Sequence, residues 1–128
     1  MSLARADDIG ALFDIDLAYN AGIMYLGEFE HVVLLAILRL GDEAYAVPIR
    51  QEIEDRTGRR IARGALYTAL ERLEGKRCLR SRMSQPLPER GGRSRRYFAV
   101  TQAGLAAIRA SRRSLLRLWQ GLEGRLES

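Results

Sequence analysis

The segment RGALYTALERLEGKRCLRSRMSQPLPERGGRSRRYFAVTQAG, residues 63–104, changes its hydrophobic period part-way along. In its first part Leu66, Ala69, Leu70 and Leu73 recur at spacings of three and four, the apolar face of a helix over 63–74. The opposite face carries Gly64, Thr68 and Glu71, with Tyr67 and Arg72 at its margins, so the end nearest Arg63 is small, polar and positive. A helix end of that kind fits a major groove. Two strand-like runs follow, Leu79 to Met83 and Arg95 to Val100. Between them SQPLPERGGRS holds Pro86, Pro88, Gly91 and Gly92, which oppose regular structure. This loop is long for a hairpin. It carries Arg90 and Arg93 and leads directly into Arg95 and Arg96. In isolation it reads as a solvated run of arginines. Placed after the helix, it reads as a wing that touches phosphates or enters a minor groove.

Charge points the same way. Residues 1–55 hold 3 arginines against 11 acids, and residues 56–128 hold 18 basic residues against 5 acids, so the net charge of +5 conceals halves of −8 and +13. Residues 56–96, which contain the helix and the hairpin, carry +10. A polyanion is the simplest partner for such a segment. Lys76 is the only lysine; arginine makes bidentate contacts to phosphate and guanine that lysine cannot. Genomic base composition produces the same bias, so the arginine excess carries little weight alone.

A chain of 128 residues, 47% hydrophobic, suffices for one compact domain and an additional helix. No run approaches the roughly 20 apolar residues of a membrane span, and Arg39 interrupts the apolar stretch from Val32 to Leu40. The N-terminus has no basic region followed by an apolar one, so no secretion signal is expected. The single Cys78 has no internal disulfide partner, which fits a reducing cytoplasm.

Catalytic chemistry finds little to work with, and no enzyme is expected. His31, the only histidine, lies in an apolar helical run and reads as a structural or half-exposed residue. No metal-binding cluster, Cys/His pair or phosphate-cradling glycine loop is recognisable, since Gly91-Gly92 precedes a strand instead of opening a helix. Cys78 reads as buried filler, and Glu52, Glu54 and Asp55 as the solvated end of a helix. No cofactor or metal is implied.

The remaining chain supplies scaffold. Phe29, Val32, Val33, Leu35, Ala36, Ile37 and Leu40 predict a helix from Glu28 to Leu40, apolar over most of its circumference and ended by Gly41-Asp42. A second helix starts near Ala46, turns Val47, Ile49 and Ile53 inward, and stops at Thr57-Gly58. Three helices and a hairpin give a mainly α fold, a winged helix-turn-helix over 25–101. Thr101 caps a last helix over 102–128, in which Leu105, Ile108, Arg112, Leu115, Trp119, Leu122 and Leu126 form a heptad seam. Its partner is either the same helix of a second subunit or its own domain. Residues 1–24 form an extension with Asp7, Asp8, Asp14 and Asp16 beside Leu12, Phe13, Ile15 and Leu17. Both an amphipathic helix packing on a dimer and an upstream start or appended segment are consistent with that pattern.

From Tyr25 to about Leu122 the chain resembles the PadR family of bacterial transcriptional regulators. The matching residues are Gly64, Leu66-Tyr67, Leu70 and Arg72-Leu73 in the helix, Gly92-Arg93 and Arg96-Tyr97 at the wing, and Thr101 with Gly104 at the last helix; Gly27-Glu28-Phe29 and Tyr45 to Ile49 agree with the first two helices. The resemblance implies a cytoplasmic, homodimeric repressor of the short C-terminal branch, often released from DNA by a small aromatic or amphipathic compound. In multidrug-responsive relatives a tryptophan of the last helix stacks on the drug, and Trp119 is the residue that matches. Two positions depart from the pattern: Arg77 stands where glycine is usual before the first strand, with Gly75 two positions earlier, and Ala46 also replaces a common glycine.

Taken together, these features predict a regulator that docks on double-stranded DNA electrostatically and reads it with helix and wing. Arg63, Gly64, Tyr67 and Thr68 are expected at phosphates and base edges, and Arg90, Arg93, Arg95 and Arg96 at the flanking backbone and minor groove, with Arg96 alternatively supporting the hairpin. Leu105, Ile108, Leu115, Trp119, Leu122 and Leu126 are the expected dimer residues. The alternatives are a sensor with its effector at the seam near Trp119, and a winged module for protein or RNA.

Overall fold

The structure is a computed structural model that describes residues 25–127, apart from the side chain of Arg90. Helix α1 spans Glu28–Leu40 and is followed by a single 3-10 turn at Gly41–Glu43. Helix α2 (Ala46–Thr57) and helix α3 (Arg63–Gly75) form the helix-turn-helix pair. Strands β1 (Leu79–Met83) and β2 (Arg96–Val100) make an antiparallel hairpin in the register Leu79↔Val100 to Met83↔Arg96. Helix α4 (Gln102–Trp119) and a short helix α5 (Glu123–Leu126) complete the chain.

Each boundary has a local cause. At the start of α1 the Glu30 carboxylate accepts the Gly27 N–H at 2.8 Å, satisfying one of the donors a helix start leaves open. The same carboxylate, buried at 9% exposure, receives both contacts of the Lys76 ammonium at 2.8 Å, which ties the first turn of α1 to the end of α3. Removing the ammonium would strand a buried carboxylate, a loss of about 3 kcal/mol for pairs of this kind. Helix α2 ends at Gly58, whose left-handed φ of 71° suits glycine. The turn into α3 is pinned by Ile61, buried in the core, with its N–H donating to Glu54 Oε2 at 2.9 Å.

Helix α3 ends where arginine stands in place of the glycine expected before the first strand. Cys78 N–H donates to Leu73 O at 2.8 Å and Arg77 N–H to Glu74 O at 3.0 Å, the two bonds of a Schellman motif. The apolar contact that accompanies this motif is supplied by Leu73 and Cys78, both fully buried. Its left-handed residue is Arg77, at φ 63°, the only non-glycine with positive φ among the described residues. The helix therefore runs through Gly75 and turns at Arg77.

A single core joins α1, α2, α3, the hairpin and the first half of α4. Its most enclosed side chains include Leu34, Ile37, Ile49, Ile53, Leu66, Leu70 and Leu73. Leu66, Ala69, Leu70 and Leu73 are all buried, as their spacing predicts. Beyond the hairpin itself, Phe98 N–H donates to Ala44 O at 2.8 Å, a single backbone bond that ties the segment before α2 to the outer edge of β2. Thr101 caps α4 by accepting the Gly104 N–H at 3.0 Å. A Cβ on Gly104 would sit 2.3 Å from Cys78 O, so α4 can cross the end of α3 this closely only with glycine there.

Several expectations need correction. Val47 is 69% exposed, not inward, because only Ile49 and Ile53 of α2 lie on the stripe facing the core. Leu35 and Leu38 are likewise exposed on the outer face of α1. The hairpin loop is not wholly irregular: Pro88–Arg90 form a 3-10 turn, and β2 begins at Arg96, one residue later than expected. The last helix is not continuous. Gln120 and Gly121 (φ 84°) end α4, so Leu122 and Leu126 lie beyond a turn that interrupts the heptad seam. Ile108, expected at a dimer seam, is buried in its own domain, with Leu105 partly buried beside it. The expectations for residues 1–24 lie outside the described residues.

Candidate nucleic-acid interface

The start of α3 is solvent-exposed and nearly bare. Arg63, Gly64, Tyr67 and Thr68 are all exposed, and a Cβ built on Gly64 meets nothing within 4 Å. Arg63 lies over the Tyr67 ring, its guanidinium carbon 5.8 Å from the centroid, so the two side chains form one cationic, flat-faced projection. No acidic residue occupies the first turn of α3, leaving the positive end of the helix dipole uncompensated by the helix's own side chains.

The hairpin adds a second basic element. Its stem closes with Ser84 N–H donating to Arg95 O at 2.7 Å and Arg95 N–H to Ser84 Oγ at 2.8 Å. Gly91 and Gly92, both left-handed at φ 64° and 78°, reverse the tip. Arg93 follows them and is exposed; the Arg90 side chain lies outside the described part of the structure. Arg95 lies over Tyr45, 4.3 Å from its centroid.

Arg96 has a different job. Its guanidinium binds the Glu74 carboxylate at the end of α3, and its Nε donates to Ser81 Oγ at 3.1 Å, while Ser81 also donates to Glu74. It lies over the Phe98 ring as well, 5.2 Å from the centroid. Arg96 thus fastens the hairpin to α3, the scaffold role that strand alternation allows. In the sequence Tyr45 and Tyr97 stand only as matches to the family pattern and Arg82 has no assigned role, yet the three meet at the base of the hairpin: Arg82 stands 4.6 Å from the Tyr97 centroid, and Tyr97 packs edge-to-face on Tyr45 at 5.4 Å. The available signal was the alternation of β1, which sends Arg80 and Arg82 to the face opposite Ser81.

Elsewhere the titratable groups serve the fold. His31 Nδ1 lies 3.0 Å from Ser111 Oγ, joining α1 to α4, and burial lowers its pKa while the nearby Glu28 raises it. Burial pushes the Cys78 thiol up to about 11, with Lys76 acting against the shift and Glu30 with it. Among the described residues no group of histidine, cysteine and carboxylates could hold a metal ion, and no helix is long and apolar enough to cross a membrane. Leu115, Leu116, Leu118 and Trp119 are exposed on the last turns of α4. A groove of about 730 Å³ between α1 and α4 is lined by Tyr25, His31, Val32, Leu35, Ser111 and Leu115 among others; Trp119 is not part of it.

The comparisons agree with this geometry. A PadR family transcription regulator from hypervirulent Clostridium difficile superposes with a TM-score of 0.62 at 21% identity, covering 77% of this chain and 99% of that one. One from Eggerthella lenta superposes at 0.60 with 25% identity, covering 95% and 96%. A MarR family transcription regulator shares the fold at 0.56 and 15% identity, covering 93% and 72%. No curated relative matches the chain. Residues 34–110, more than half of the sequence, match the family model described as the transcriptional regulator PadR-like family. The winged helix-turn-helix is therefore that of a DNA-binding transcription regulator, and the chain belongs to the PadR-like family.

Proposed function

We propose that the protein is a homodimeric repressor that occupies a pseudopalindromic operator. The observation that carries this reading is the exposed start of α3, where Arg63 and Thr68 flank a glycine with no neighbour above it, next to a hairpin bearing Arg93 and Arg95. A bare backbone allows close approach to base edges, while arginines on either side supply phosphate contacts that set register. The exposed apolar residues Leu115, Leu118 and Trp119 favour a second copy as the partner of α4, since a contiguous apolar face of this kind is normally covered. A two-fold dimer would present two α3 helices to successive turns of one face of the duplex. Bound over a promoter, it would exclude polymerase.

Selection from a random duplex pool with the purified chain tests this. The expected product is a pseudopalindrome with half-sites about 10 base pairs apart. A pool without consensus would overturn the operator reading and leave the winged domain as an interaction module.

One observation favours an added sensory role: the groove between α1 and α4 is mostly apolar, with Glu28, His31, Ser111 and Ser114 as polar groups of its lining. Planar phenolic compounds are the class to try, with release of the selected duplex as the readout.

A further inference from the structure

Five arginines that lie over aromatic rings fall into two sets. Arg96 and Arg59 lie over phenylalanine rings, Phe98 and Phe29, and each is also bound to a carboxylate, Glu74 and Glu28. Arg63, Arg82 and Arg95 lie over tyrosine rings, Tyr67, Tyr97 and Tyr45, and among the described residues none of the three has a carboxylate within ion-pair distance. The first set is spent on the fold. Among the described residues the second is held by its ring contacts and by no carboxylate, which leaves guanidinium N–H groups available to grip phosphate.

Two of these pairs are joined. Tyr45 and Tyr97 meet edge-to-face at 5.4 Å and 65°, so Arg95, Tyr45, Tyr97 and Arg82 form a continuous ladder with a cation at each end. Three separate segments contribute: Tyr45 is the residue before α2, Arg82 comes from β1, and Arg95 and Tyr97 flank the start of β2. Backbone bonds hold the ladder's frame. Arg82 and Tyr97 are paired in register, and Phe98 N–H donates to Ala44 O at 2.8 Å, which places Tyr45 against Tyr97. The rings are therefore set by the sheet, and each ring in turn restricts a long, flexible cation.

We propose that Tyr45 and Tyr97 are positioning residues that preorganise Arg95 and Arg82 for DNA phosphates, and that Arg82 belongs to the DNA-contacting set. The inference rests on the DNA-binding reading above. An arginine already held in place loses less rotamer freedom on binding than a free one, and that saving becomes affinity. Only the arginines carry charge to the phosphates; the tyrosines act through them.

The test uses the full chain, a mixed-sequence duplex and a salt series. Arg82→Gln should weaken binding and lower the slope of log affinity against log salt by about one unit per protomer. Tyr97→Leu keeps every charge and should weaken binding about three- to tenfold, whereas Tyr97→Phe, which retains the ring face, should rescue it. A slope unchanged by Arg82→Gln would overturn the inference. So would a Tyr97→Phe variant as weak as Tyr97→Leu, because a hydroxyl and not a ring face would then be at work. Failure of the unsubstituted chain to bind duplex at all would instead sink the DNA reading beneath it.

Discussion

Replacing Arg77 with glycine should make the protein more stable. Arg77 occupies the left-handed position of the Schellman turn at φ 63°. An L-residue there places its Cβ against the following carbonyl, at a cost of about 1–2 kcal/mol. Its side chain is exposed and forms no ion pair among the described residues, so the substitution removes strain without breaking one. The backbone bonds of Arg77 and Cys78 to Glu74 and Leu73 are unaffected, as is the Arg77 carbonyl, which accepts from Thr101 Oγ1 at 2.6 Å. Against the gain stands the greater freedom glycine gives the unfolded chain, about 0.4–1 kcal/mol. The balance lies between about 0 and 1.6 kcal/mol, centred on about 0.8 kcal/mol of stabilisation, or a rise in Tm of about 3–6 °C at the centre for a domain of this size. Thermal melting followed by circular dichroism at one fixed protein concentration reads it directly. Arg77→Ala is the control, because it removes the guanidinium and keeps the strain. The reasoning is refuted if the glycine variant melts no higher than the alanine variant.

Three further substitutions separate folding from binding. Gly104→Ala drives a methyl to 2.3 Å from the Cys78 carbonyl oxygen and 2.8 Å from Val100 Cγ1, and should cost about 3 kcal/mol or more in urea unfolding; a loss under about 0.5 kcal/mol would mean that α4 docks differently. Gly64→Ala enters open space in a helix and should raise stability by up to about 0.5–1 kcal/mol, yet weaken binding to the selected operator; unchanged affinity would remove Gly64 from the interface. The Cys78 thiol is raised from 9.0 to about 11, so the fold favours its protonated form. That contribution is intact below about pH 9 and lost as the pH rises towards 11, because the unfolded chain then releases a proton that the native state keeps. The unsubstituted chain should therefore lose stability faster than Cys78→Ala across that window, and parallel pH profiles would contradict the burial argument.

Much of the architecture is legible in the sequence because local chemistry and tertiary demand agree there. The face of α3 follows from four apolar residues at helical spacing, and the hairpin from strand runs on either side of a proline- and glycine-rich loop. Helix-ending glycines at 41 and 58 place the ends of α1 and α2. The failures have one physical root: periodicity tells that a face is apolar, not what covers it. Val47 and Leu35 are apolar and exposed, and Ile108 fits a heptad yet packs into its own core. The break after Trp119 did carry a signal, Gly121 in a C-cap position, which the heptad count overrode. At the interface, exposure at the start of α3 follows from the pattern of the helix, and the alternation of β2 leaves room for Arg96 to face the scaffold. The aromatic ladder does not follow, since Tyr45, Arg82 and Tyr97 meet only through sheet pairing between distant segments.

The account stands or falls on whether α3 and the wing grip DNA together. The direct measurement is the affinity of the unsubstituted chain and of Arg93→Ala for the selected operator and for a scrambled duplex of equal length, across a salt series. The account predicts tighter binding to the operator, a steep fall of affinity with salt, and a slope reduced by about one unit per protomer in Arg93→Ala on both duplexes. Equal, weak binding to the two duplexes, or a slope indifferent to Arg93, would contradict it.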